Sequence, residues 1–139
     1  MRPAVQKWFA TIGSEGCFAL SIIEGGRQGC SECDAVELLD EGQKRGFLDS
    51  EFLVLKHAEF MSLVAGGEWT YQKLSTPEEI ASYKPQPGDV TVEEWVWKYQ
   101  HFMLRRNGQL IDTLGDSQTR LRGKMVSIRL FRRKSWGKS

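Results

Sequence analysis

An α+β fold is predicted, with N-terminal helices packed on a C-terminal antiparallel sheet, and two observations predict it. Apolar residues at helical spacing fill the chain up to Gly66-Gly67, whereas from Trp69 onward β-branched and aromatic residues come in short runs separated by Pro and Gly. Helices gathered ahead of strands mark the α+β class. A length of 139 residues suits one compact domain. Residues 1–139 are therefore read as a single domain, with 131–139 as a basic C-terminal end.

Ser14 caps the first helix, which starts at Glu15 or Gly16; its body, CFALSIIE, is apolar nearly all round and belongs inside the domain. Gly25-Gly26 end it. Asp34 caps a second helix over DAVELLDEGQKR, in which Val36, Leu38 and Leu39 form a partial stripe before Gly46. Asp49 or Ser50 caps a third, EFLVLKHAEFMSLVA, with Leu53, Phe60, Leu63 and Val64 at helical spacing. TYQKL is a short strand and TPEEIASY one or two helical turns. Pro87-Gly88 is a turn, DVTVEEWVW a strand, and Asn107-Gly108 a two-residue hairpin turn. The last strand, KMVSIRLFRR, alternates Val126, Ile128 and Leu130 with Ser127, Arg129 and Phe131.

Nineteen basic residues face eighteen acidic ones, so no global field steers the chain toward nucleic acid or a membrane surface. The N-terminus lacks a signal-peptide apolar core, and no stretch approaches the ~20 apolar residues that span a bilayer. Three cysteines, an odd number, fit free thiols in a reducing, cytoplasmic setting. Neither a nucleic-acid nor a membrane partner is expected. The basic residues Arg129, Arg132, Arg133, Lys134 and Lys138 read as a solvated strand and tail.

The hairpin turn carries a geometric consequence. With Asn107-Gly108 as its two turn residues, Arg106 faces Gln109, Leu104 faces Ile111, Met103 faces Asp112 and His101 faces Leu114. His101 and Asp112 then share one sheet face as diagonal neighbours, roughly 7–8 Å apart along the backbone. A carboxylate beside an imidazole fixes its tautomer and stabilises its protonated form, which a base paired with a thiol requires. Cys17 supplies a thiol at the first turn of a helix, where unpaired N–H groups favour the thiolate. The candidate constellation is Cys17, His101 and Asp112.

These residues together resemble the papain-like cysteine peptidases, especially compact bacterial cell-wall endopeptidases and bacteriocin-leader-processing domains. The likeness rests on GCFALSII, where the cysteine opens a buried helix, on PQPGDV leading into the sheet, and on HFMLRRNGQLIDTLG, where a His strand runs into a hairpin. HFMLRRNGQLIDTLGDS also resembles a bacterial and phage family ending in a similar hairpin. The resemblance implies a papain-like fold and a thiol hydrolase acting on a peptide or protein substrate through Cys17, His101 and Asp112, without cofactor or metal. One departure is plain: Thr11 stands where such enzymes commonly carry a Gln. The oxyanion hole would fall to the backbone N–H of Cys17, helped by Gly16 or Ser14.

Other residues invite competing readings. Trp95 and Trp97, with Tyr99 and Phe102, either line a substrate groove or pack a strand. His57 shares an apolar face with Val54, Met61 and Val64 and reads as a core histidine. Cys30 and Cys33 form CSEC, which is half a zinc site, a dithiol pair or two ordinary cysteines, the last being favoured. Three functional classes follow: a thiol hydrolase, a catalytically inactive binding or inhibitor protein of bacterial or phage origin on the same fold, and a small zinc-binding module built on Cys30 and Cys33.

Overall fold

In a computed structural model, residues 17–98, 100–111 and 122–134 are described. They form an α+β architecture in which helices precede an open five-stranded antiparallel sheet. Helix α1 runs through residues 17–26, followed by α2 (Glu32–Lys44) and α3 (His57–Ala65). Strand β1 (Trp69–Leu74), helix α4 (Pro77–Ser82), and strands β2 (Val90–Val96), β3 (Gln100–Arg106), β4 (Gln109–Ile111) and β5 (Lys124–Arg133) complete the order. The sheet reads β1-β5-β2-β3-β4, so the last strand is inserted between the first two.

The core lies between the first three helices and one face of the sheet. Phe18, Leu20, Ile22 and Ile23 of α1, Leu39 of α2 and Phe60, Met61 and Val64 of α3 are buried with Val92, Phe102, Leu104, Phe131 and Trp69. The apolar, all-round character of CFALSIIE is thus realised as a central helix. Gly25 and Gly26 are its last two residues, as expected. A Cβ on Gly25 would stand 2.5 Å from Val90 Cγ1, and one on Gly26 would stand 2.8 Å from Met61 Sδ, so these glycines let the helix approach the sheet and α3. Arg106 secures the same end, donating to the Glu24 carboxylate at 3.0 Å and to the Glu24 carbonyl.

Two helix starts differ from expectation. Ser31, not Asp34, caps α2: its hydroxyl accepts from the Asp34 N–H, and the helix begins at Glu32. The residues before α3 are a loop. Asp49 accepts from the N–H groups of Glu51 and Leu53, which closes a turn instead of a helix, and Leu48 bridges Val54. Phe52 sits at φ 66° inside that turn. A short carboxylate serves an Asx turn as well as a helix cap, and here the turn wins.

The Asn107-Gly108 turn has the expected form. Both residues take positive φ, 51° and 76°, and β3 and β4 pair Arg106 with Gln109 and Leu104 with Ile111. Helix α4 carries a full capping box, Thr76 with Glu79, and a proline in its first turn. No helix among the described residues is long and apolar enough to cross a membrane.

Candidate active site

Helix α1 and strand β3 bring Cys17 and His101 together across 84 positions of sequence. The Cys17 sulfur lies 3.1 Å from His101 Nδ1 and 3.8 Å from Nε2. The two distances are too alike for the sulfur to lie along the Nδ1 lone pair, which would carry it more than an ångström farther from Nε2. The sulfur therefore sits over the ring near Nδ1, and a turn of the imidazole is needed to align the pair for proton transfer. Such loose alignment is ordinary in a site without substrate. The sulfur is also 3.3 Å from the Phe102 carbonyl, so one S–H proton has two acceptors. Cys17 is fully buried and His101 is 7% exposed.

How β3 delivers His101 is informative. Phe102 and Leu104 join the helix-side core, while Met103 is buried outside it. Strand alternation assigns His101 to the side of Met103, facing away from the helices. The contact is nonetheless made: His101 is the second residue of its strand, opposite Trp95, beside a register shift between Glu94 and Trp95 in the β2–β5 pairing. A bulge there adds twist at the sheet's end. The sheet does not lay a histidine face on α1; the ring and the helix meet at the sheet's margin.

Of the other predicted residues, Asp112, Ser14 and Gly16 lie outside the described residues. Trp95 is half-buried and donates its indole N–H to Glu93 at 3.0 Å; Glu93 in turn takes two bonds from Arg105. Trp97 is half-buried, with Lys98 and Arg122 over its ring at 4.9 and 5.5 Å. Phe102 is buried and stacks on Phe18 at 4.6 Å.

None of Cys17, Cys30 and Cys33 forms a disulfide. Burial pushes the Cys30 thiol up. Among the described residues no group of three His, Cys, Asp or Glu side chains is placed to hold a metal.

Sequence reading missed a second polar cluster on the helix side of the sheet. Arg129, expected as part of a solvated end, is buried, with its ion pair to Glu94 at 2.9 Å. It also donates to the Ser127 and Tyr71 hydroxyls, and its guanidinium lies over the Phe18 and Phe102 rings at 5.3 and 5.2 Å. Burial pulls the Glu94 carboxyl up, but bonds from Ser127, Gln100 and Arg129 outweigh it and hold it below its usual range. His57 stacks on Tyr71 at 4.0 Å; burial, reinforced by the Arg129 charge, pushes its pKa down to about 4. It is a half-buried, neutral histidine, in keeping with a core role. The only sequence signal for the cluster was Arg129 alternating with buried neighbours in β5.

The other described residues of that basic end are also engaged, and Lys138 lies outside the described residues. Arg132 pairs with Asp89 at 2.8 Å, Arg133 lies over Trp69 at 4.6 Å, and Lys134 faces Glu68 at 3.7 Å. Comparison of the chain with protein-family models, curated proteins and solved structures finds no match. A small α+β domain with a Cys17–His101 contact is compatible with a broad cysteine-hydrolase-like grouping.

Proposed function

We propose that this domain is a papain-like thiol hydrolase that cleaves a peptide or amide bond. His101 takes the Cys17 proton, the sulfur adds to the carbonyl, and the amine leaves with that proton, giving a thioester that water hydrolyses. Asp112, which the sequence register of the hairpin predicts on the same face as His101, orients the imidazole as the third member of a Cys-His-Asp triad. The backbone N–H of Cys17, with Gly16 or Ser14, holds the oxyanion. Trp95 and Trp97 form the wall of the groove that receives the substrate. No cofactor takes part, and a reducing cytoplasmic compartment suits the free thiols.

The observation that supports this reading is the 3.1 Å approach of the Cys17 sulfur to His101 Nδ1. A buried Cys–His pair brought together across 84 positions is unusual for packing alone, since either residue could be replaced by an apolar one. The second reading, an inactive binding or inhibitor protein, is favoured by one feature: Cys17 is 0% exposed and its proton also has the Phe102 carbonyl to go to.

Alkylation by iodoacetamide at pH 6, in a background with Cys30→Ser and Cys33→Ser, distinguishes them. Mass spectrometry of the hydrolase should show Cys17 modified at least about tenfold faster than a free cysteine, with His101→Ala removing the advantage. Equal, slow modification in both chains would leave the binding protein as the better account.

A further inference from the structure

Between α1, the loop of residues 47–56, the start of α3 and strands β3 and β5 lies a cavity of about 140 Å³, room for one side chain. Phe18, Phe102, Val54 and Leu53 give it apolar walls; Arg129, His57 and Gln100 supply polar atoms. Two of the wall residues directly follow Cys17 and His101 in the chain.

The hydrogen-bonding balance of this lining is one-sided. A guanidinium has five N–H donors, and three bonds from Arg129 are accounted for, to Ser127, Tyr71 and Glu94. Two N–H groups on a side chain 11% exposed therefore have no protein acceptor among the described residues. The Glu94 oxygens are already taken, one by Ser127 and Arg129, the other by Gln100. Neutral His57 adds one N–H and one acceptor nitrogen, and Gln100 adds its amide oxygen and the N–H not given to Glu94, so four side-chain donors face two side-chain acceptors in the lining. A buried donor surplus at the end of apolar walls calls for an acceptor-only group on a short hydrocarbon stem.

We propose that this cavity binds a carboxylate carried on a short apolar stem, the side chain of a glutamyl residue in a peptide. As a selector of substrate it rests on the thiol-hydrolase reading; as a binding site it stands without the thiol.

The test uses butyrate, the matching free acid, and butyramide, its neutral counterpart of the same shape, with the full chain observed through the His57 ring by NMR. Butyrate should shift the His57 signals saturably and raise its pKa, because the bound anion offsets the Arg129 charge; butyramide should bind at least about tenfold more weakly, as a neutral acceptor would. Leu53→Trp, at a rim position 45% exposed, should close the mouth and abolish the response without disturbing the core. The paired change Glu94→Gln with Arg129→Met should abolish it as well. Equal binding of acid and amide, no response of His57, or an unchanged response in Leu53→Trp would each overturn the proposal. Cys17→Ala should bind butyrate as the parent does, so failure of the hydrolase reading and failure of the pocket are separate results.

Discussion

At Cys17 a single S–H proton is offered to an imidazole and to a main-chain carbonyl, and the side chain that competes best decides what the residue does. Cys17→Ser keeps both acceptors within reach of a shorter hydroxyl, so the fold should survive; peptide cleavage, if Cys17 is the nucleophile, should fall by at least about a thousandfold, since a serine is a much weaker nucleophile in a thiol site. Circular dichroism and a pooled fluorogenic-peptide assay measure the two outcomes. His57 makes a different prediction. Its folded pKa of about 4 lies below the ordinary 6.5, so between these values the unfolded chain holds the extra proton. The stability it supports is complete above pH 6.5 and declines as pH falls toward 4. His57→Phe retains a ring against Tyr71 and removes the titration, so urea midpoints measured from pH 7 to pH 4.5 should fall less steeply than in the parent.

Among the elements, those fixed by local chemistry were legible and those fixed by distant partners were not. Asn107-Gly108 announces its turn through two residues that tolerate positive φ, and the pairing of Leu104 with Ile111 follows by counting. Asp49 misleads because the same carboxylate can cap a helix or fold back on Glu51 and Leu53. Gly25-Gly26 reads as a stop signal and α1 does end there, but the nearness of Val90 and Met61, a second reason for glycine, is encoded by no local pattern. Two substitutions test these accounts. Gly108→Ala, at φ 76°, should lower stability by about 1 kcal/mol in chemical denaturation. Gly25→Ala should cost about 1–3 kcal/mol by overpacking Val90, and Val90→Ala in the same chain should recover part of that loss, a non-additivity that a double-mutant cycle reads directly.

In the whole molecule, β5 between β1 and β2 is what joins the parts, because it carries Arg129 to Glu94 and Tyr71 at once. Those residues are 35 and 58 positions apart, and only a register running across three strands brings them together, so the cluster was hidden from sequence reasoning while the broad helix-then-sheet order was plain. A buried ion pair of this kind is costly to break and cheap to replace. Arg129→Met alone should destabilise by about 3–5 kcal/mol by stranding Glu94, and adding Glu94→Gln should restore most of it, as seen in thermal or urea unfolding.

The two-residue turn at Asn107-Gly108 also imposes parity on the chain. While that turn stays two residues long, each residue added to β4 beside it reverses which side of the sheet every later side chain of the strand faces, so one insertion would carry Ile111 away from the core and a second would bring it back. An odd insertion survives only where a bulge absorbs it. A library of insertions placed within β4 after Gln109, sorted for folded protein, should therefore be enriched in even lengths, whereas residues added inside the turn loop out with the Leu104–Ile111 pairing kept.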